Sequence, residues 1–409
     1  MTTRMPEKSS KTKTYDIVIV GGGLVGSSLG CALAAMMARS NLRVAIIEAA
    51  ALPDSGEQAW QPSFDARASA IAAGSAQRFR ELGVWEAMQR EASPIARIHI
   101  SERGRLGATR LNASEMGVEA LGYVIPNAWM GRVLHQKLET LPIDWYCPAR
   151  VETMTAVENG HRLALSTGET LSAGLTVLAD GGRSGLKEQL GIESQRRSYE
   201  QTALIAHVGI SQPHHGVAFE RFTDEGPMAL LPLPNQAMEL IWTHQSGDEK
   251  ARLTLDDGAF LAQLQRAFGD RVGRFTKVGK RFSYPLSLVT ARETVRPGLA
   301  VLGNAAHALH PVAGQGFNLA LRSVMDLVEA LEEGRQQGRD VGDMHTLLAF
   351  ERHRARDRAN VIRFSDSLVR LFGASFPLLP HARAAGLIGL NLVGPLRRGL
   401  ARRAMGLER

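Results

Sequence analysis

The first ordered pattern in the chain is YDIVIV (15–20), a β-branched run of the kind buried on both faces of a parallel sheet. Glycines follow at once, then the Ala-rich stretch LVGSSLGCALAAMMARS (24–40), which predicts a helix, and RVAIIEA (43–49), a second buried strand. Together they predict a β-α-β unit with a right-handed crossover. SAIAAGSAQRFRELGVWEAM (69–88) predicts another helix, with Ala76, Phe79, Leu82 and Trp85 at helical spacing. From about 150 to 171 the pattern changes to short alternating strands, and Asn159-Gly160 marks a hairpin. LTVLADGG (175–182) then returns to a buried strand ending in Asp-Gly.

Between about 196 and 286 the chain is mostly strand-like: TALIAHVGI, GVAFERFT, PMALLPLP and AMELIWTH, interrupted by one helical stretch, DGAFLAQLQRAFG. This predicts a mainly antiparallel β domain inserted into an α/β domain. GLAVLGNAAH (298–307) brings the chain back to the α/β core. FNLALRSVMDLVEALEEG (317–334) puts Phe317, Leu321, Val324, Val328 and Leu331 on one helical face, and the remainder reads as helical.

At 409 residues, the chain has room for two domains, or one with an insertion. The charge of +7 admits a nucleic acid, a membrane surface or an anionic ligand as partner. With 6% aromatics and no basic run interleaved with them, nucleic acid is excluded as the expected partner. Cys31 and Cys147 form no disulfide framework, so a reduced, cytoplasmic setting is expected. The first 14 residues are polar and basic and read as a disordered lead-in, not a signal peptide. No stretch reaches the roughly 20 apolar residues that a membrane-spanning helix needs.

Three stretches carry candidate chemistry. Gly21-Gly22-Gly23-Leu24-Val25-Gly26 is a G-x-G-x-x-G between a buried strand and a helix, and Glu48 ends the next strand. That context fits a dinucleotide fingerprint: Gly21 for the turn, Gly23 for backbone approach to a pyrophosphate, and Gly26 for close helix–strand packing. Glu48 would accept hydrogen bonds from a ribose, and its charge would repel a 2′-phosphate, leaving FAD or NAD. Asp180-Gly181 stands at a strand end, where, read alone, a bland turn is the better reading. In VLGNAAHALHPVAGQGFN (301–318), Gly314 and Gly316 open a helix whose N-terminus could face a flat, electron-rich ring edge, with Pro311 stiffening the loop beneath. His307 and His310 have no third ligand at fitting spacing, so no metal is expected.

In this order and spacing, the three stretches resemble the class A flavoprotein aromatic hydroxylases over about residues 15–370. Within that class, GNAAHALHPVAGQGFNLALRSVMDL, FDARASAIAAGSAQRFRELGVW, FERFTDEGPMALLPLP and DSLVRLF are most similar to the ubiquinone-biosynthesis hydroxylases. The resemblance implies an α/β fold. A Rossmann-like FAD-binding domain (15–190 and 287–372) would carry an inserted, mainly antiparallel β substrate domain (191–286) and a helical C-terminal segment (373–409). Gly21, Gly23, Gly26 and Glu48 would bind the ADP half of FAD. Arg67 would lie near the flavin and pyrophosphate, and Asp180 and Gly181 near FAD and an approaching NADPH. Asn304 would contact the ribityl chain, and Gly314, Gly316, Phe317 and Asn318 the isoalloxazine. Pro311 and Gln315 are the expected active-site positions.

The chain departs from the wider class at two places: Asn304 replaces an Asp, and Lys187 replaces an Arg. An amide can still accept a ribityl hydrogen bond, and a lysine keeps the charge without the planar fork. The implied reaction is hydroxylation of a polyprenylated phenol by O₂ through a flavin C4a-hydroperoxide, with NAD(P)H as a transient electron donor. A single fingerprint suits a donor that has no Rossmann domain of its own. Phe219, Phe222, Leu230 and Leu231 are candidate lining residues, with strand alternation allowing only some to face inward. The implied partners include other ubiquinone-biosynthesis proteins. The C-terminal LIGLNLVGPLRRGLARRAMGLER, with Arg397, Arg398, Arg402 and Arg403, suggests peripheral contact with the inner face of the cytoplasmic membrane, or a terminal helix packed on the core with solvated arginines.

Overall fold

The computed structural model describes residues 12–51, 67–105, 107–310, 314–373 and 379–407. The first sheet is built around the Lys13–Val20 strand, which pairs in parallel with Val44–Ile47 on one side and Thr170–Leu178 on the other. Ile143–Tyr146 and Leu299–Val301 extend it, also in parallel. Ile17, Val18 and Ile19 are wholly buried, as a two-faced parallel strand requires. The strand begins at Lys13, so residues 13 and 14, read from sequence as lead-in, pair with Leu171 and Ser172. Residues 1–11 lie outside the described residues. The Asn159-Gly160 turn joins Val151–Val157 and Gly160–Leu165 as an antiparallel hairpin on this sheet.

The second sheet has nine strands. Its centre is the run Ser194–Ile210, Ala237–Gln245, Gly226–Leu233, Val217–Thr223, paired antiparallel throughout. Its far edge is Arg97–Glu102, parallel to Val217–Thr223, followed by Ala108–Asn112. Strands from before residue 191 therefore belong to this sheet, and the boundary drawn from sequence does not follow its hydrogen bonding. Helix Asp257–Phe268 covers one face through Phe260, Leu264 and Phe268, packed on Trp242, Leu230 and Phe219.

Ala68–Ala72 is a strand paired with Gly122–Pro126, not the start of the helix, which runs from Ala73 to Glu81. The Ala-rich composition favoured helix, but pairing across a three-stranded sheet overrides that weak preference. The 22-residue helix Gln315–Gln336 buries Leu321, Val324, Val328 and Leu331 along one stripe. Helices Leu379–Leu392 and Gly394–Ala404 fold back over the edge of the second sheet. There the Thr109 hydroxyl donates to the Leu387 carbonyl at 2.7 Å, and Arg383 pairs with Glu102 at 2.7 Å.

Candidate active site

One cavity of about 1360 Å³ lies between the two sheets and the C-terminal helices. Gly21, Gly23, Glu48, Arg67, Asp180, Gly181, Asn304, Gly314, Gln315, Gly316, Phe317 and Asn318 all line it. Residues up to 297 positions apart in sequence (318 − 21) thus meet around a single space. A drug-sized ligand occupies a pocket of about 300–1,000 Å³, so this one has room for a dinucleotide and a second molecule. Pro311 lies outside the described residues.

The two glycine-lined mouths are built alike. Helix Leu24–Ala32 starts at Gly23 and helix Gln315–Gln336 at Gly314, and no side chain caps either N-terminus. The backbone N–H groups there are donors available to an anionic or electron-rich ligand edge. A Cβ added at Gly23 or at Gly316 would meet nothing within 4 Å, so both positions present bare backbone to the cavity. Gly26 does not line the cavity and acts by packing: a Cβ there would sit 1.9 Å from the Gly21 carbonyl oxygen.

The Glu48 carboxylate is buried. Its Oε2 accepts the Gly22 N–H at 2.7 Å and its Oε1 the Ala50 N–H at 2.8 Å, which fixes it at the rim of the first mouth. A carboxylate oxygen can accept more than one hydrogen bond, as a ribose hydroxyl at this rim would require. Glu48→Gln turns one backbone acceptor into an amide N–H and loses a charge-assisted bond worth about 1.5–3 kcal/mol. Flavin-fluorescence titration should show FAD affinity reduced at least about tenfold.

Asp180 holds its own loop, accepting from the Gly182 and Ser184 N–H groups at 3.0 and 2.8 Å. Lys187, to which sequence assigned no role, is buried and donates to the Ala305 carbonyl at 3.2 Å, tying this loop to the Asn304 segment. Asn304 itself is exposed on the cavity.

At the second mouth the side chains do different work from that expected. The Phe317 ring stacks on Phe79 of the core, their centres 6.2 Å apart. Asn318 is spent on structure: its Oδ1 accepts the Ala72 N–H, and its Nδ2 donates to the Ala70 and Gly314 carbonyls, each at 2.8 Å. Gln315 reaches toward the Ala404 carbonyl at 3.4 Å. Glu239, which sequence reasoning missed, is buried on the second sheet and accepts the Ala68 N–H at 2.9 Å, anchoring the chain beside Arg67. The Arg67 guanidinium lies over the Tyr284 ring, 4.7 Å from its centre. His307 and His310 are buried, and burial lowers the pKa of each to about 4, so both are neutral.

Of the four candidate lining residues, Phe222 and Leu231 point into the cavity. Leu230 belongs to the core beneath helix Asp257–Phe268. Phe219 borders the cavity, but its ring packs on His99 and Phe268, 5.7 and 5.5 Å away. In-register pairing of Phe219 with Leu230 explains why they share the far face.

The fold and the two mouths define an FAD-dependent aromatic-ring monooxygenase. The bare glycine backbone and uncapped helix N-termini at its two mouths suit the two ends of such a cofactor. Comparison places the chain more narrowly: residues 14–365 match the FAD binding domain family, to which this protein belongs. It is 36% identical to ubiquinone hydroxylase UbiL of Rhodospirillum rubrum over 98% of this chain and 92% of that one. With 3-demethoxyubiquinol 3-hydroxylase of Escherichia coli it shares 31% over 96% of this chain and 98% of that one. It is thus a member of the ubiquinone-pathway group of flavin hydroxylases. The crystal structure of p-nitrophenol 4-monooxygenase PnpA from Pseudomonas putida superposes with a TM-score of 0.78 at 16% identity. That match covers 97% of this chain and 99% of the other, a likeness of fold.

Proposed function

We propose that this enzyme hydroxylates the aromatic ring of a polyprenylated phenol in ubiquinone biosynthesis, with 2-polyprenyl-6-methoxyphenol as substrate and NADPH as electron donor. When bound, FAD supplies the redox chemistry, carrying electrons from the nicotinamide to O₂ so that one oxygen atom is transferred to the ring. The observation that carries the reading is that the cavity holding both mouths continues under an apolar ceiling. Ile205, Ala218, Phe222, Leu231 and Ile241 line that ceiling, and the space runs on to Leu387, Leu390 and Leu400 of the terminal helices. The protein's own contribution is to hold the ring against the Gly314–Gly316 backbone and to exclude water with that ceiling.

The same two terminal helices carry exposed apolar residues on their outer side: Leu392 is 77% and Leu396 59% exposed, beside exposed Arg398 and Arg402. No helix among the described residues is long and apolar enough to cross a membrane. Apolar side chains with nearby arginines suit the surface of an anionic bilayer, where a prenyl chain resides. The helix pair would then join that surface to the cavity. Replacing Leu392 and Leu396 with Glu should abolish sedimentation with anionic vesicles while sparing turnover of a short-chain phenol. Retained sedimentation would remove the membrane contact.

The reading as a whole is tested by NADPH oxidation and product analysis with prenylated methoxyphenol, other ring-stage precursors and simple soluble phenols. Hydroxylation of the methoxyphenol at the carbon para to its hydroxyl, giving the 1,4-benzoquinol, is the expected result. Hydroxylation of soluble phenols alone would replace the pathway assignment by that of a related small-phenol monooxygenase. Preference for another precursor would move the enzyme to a different ring step.

A further inference from the structure

The inward face of the second sheet is apolar except for a few positions, and Glu220 stands apart from the others. Strand alternation puts Ala218, Glu220 and Phe222 on the cavity side of Val217–Thr223, with Glu220 in register with Ala229 of the strand on one side and Ile100 of the strand on the other. Glu220 lines the cavity and is half-buried. Among the described residues it makes no hydrogen bond and no ion pair. Glu239, the other carboxylate on this ceiling, is already committed to the Ala68 N–H. Thr243 and the cations Arg67 and Arg383 also line the space, Arg383 pairing with Glu102 and Arg67 lying over the Tyr284 ring. A carboxyl group inside an apolar ligand cavity with nothing to bind costs stability unless a ligand group meets it.

We propose that Glu220 is a catalytic carboxylate of this cavity, taking the proton of the substrate's ring hydroxyl. The phenol O–H bond breaks and a carboxyl O–H bond forms. The electron pair left on the phenolate oxygen delocalises onto the ortho and para carbons, which makes one of them a better acceptor of the transferred oxygen. Once the hydroxylated ring loses its displaced C–H proton and regains aromaticity, the Glu220 proton passes back to the product oxygen or to solvent. The step is a proton transfer with no net redox change, and the oxidant remains the O₂ of the established reaction.

The electrostatics of the site agree with this geometry. Burial raises the Glu220 pKa to about 8, between an ordinary carboxyl group and a phenol, where a base that operates near neutral pH is best matched. This assignment rests on the phenolic substrate class inferred above.

The test uses FAD-loaded enzyme and two variants. In wild type, kcat/KM for hydroxylation should climb with pH through a midpoint near pH 8 and level off above it. Glu220→Gln should lose the climbing limb and about a hundredfold in rate, and Glu220→Asp should restore the limb at a lower rate. Binding gives a second readout independent of turnover. Wild-type preference for a phenol over its O-methyl ether, followed by flavin fluorescence, should change with pH through the same midpoint, and in Glu220→Gln it should not. Glu220→Gln should also melt no lower than wild type at pH 8, because the folded state, with its raised carboxyl pKa, loses stability as pH rises from the unfolded value toward 8 and the amide does not. An unchanged climbing limb and pH-dependent preference in Glu220→Gln would overturn the assignment. If wild type hydroxylates no phenol, the functional reading fails, and the binding measurement still decides Glu220.

Discussion

Gly23→Val and Gly26→Ala will both yield colourless protein, for opposite reasons. A Cβ added at position 23 meets nothing within 4 Å, so the apo form should fold and melt as wild type does. The valine would instead project into the space where a pyrophosphate must approach the backbone, and FAD affinity should fall at least about a hundredfold, the equivalent of about 3 kcal/mol. At position 26 the added methyl lies 1.9 Å from the Gly21 carbonyl oxygen, and Ile19 stands 3.2 Å away. Helix and strand must separate, at a cost of about 1–3 kcal/mol or more, so the apo protein itself should melt several degrees lower. Calorimetry of the apo forms beside flavin titration separates the two cases. Equal melting of both variants would refute the packing role given to Gly26.

That contrast shows where sequence was legible. The fingerprint and its flanking strands were readable because a buried parallel strand, a glycine turn and an Ala-rich helix each leave a strong local pattern, and Glu48 followed from its strand end. The second mouth was readable as backbone, since only glycines suit it, but not as side chains. Nothing local says that Asn318 would be consumed by residues 70 and 72, nearly 250 positions earlier, or that Phe317 would turn to Phe79. The Ala68–Ala72 strand was hidden for the same reason: its partner, Gly122–Pro126, decides its conformation.

The ceiling was half legible. GVAFERFT announced a strand, and alternation required that Phe219 and Phe222 face opposite sides. The same parity puts Glu220 with Phe222, so the charged residue could have been placed in the cavity as soon as Phe222 was. What sequence could not supply was which face the helix Asp257–Phe268 would cover. Membership of Arg97–Glu102 and Ala108–Asn112 in that sheet was also out of reach, because it depends on a parallel contact between strands more than a hundred residues apart.

Asn318→Leu keeps the size of the side chain and removes all three of its hydrogen bonds. The Ala72 N–H and the Ala70 and Gly314 carbonyls would lose their Asn318 partners where that side chain is 1% exposed. Each buried group left unpaired costs about 1–3 kcal/mol, so unfolding free energy should fall by at least about 3 kcal/mol. Because those groups belong to the strand and the turn that line the cavity at the second mouth, FAD affinity should fall with stability. Asn318→Asp distinguishes the bonds from the bulk. Its carboxylate can still accept the Ala72 N–H, but its second oxygen faces two carbonyls and is stabilised only when protonated. A carboxyl whose pKa is raised by folding contributes stability below its unfolded pKa and loses it as pH rises. Asn318→Asp should therefore approach wild-type stability near pH 4 and fall toward Asn318→Leu at pH 8, as read from denaturant midpoints. Should Asn318→Asp be equally stable at both pH values, the two donated bonds would carry no weight, and the second mouth would be held by packing alone.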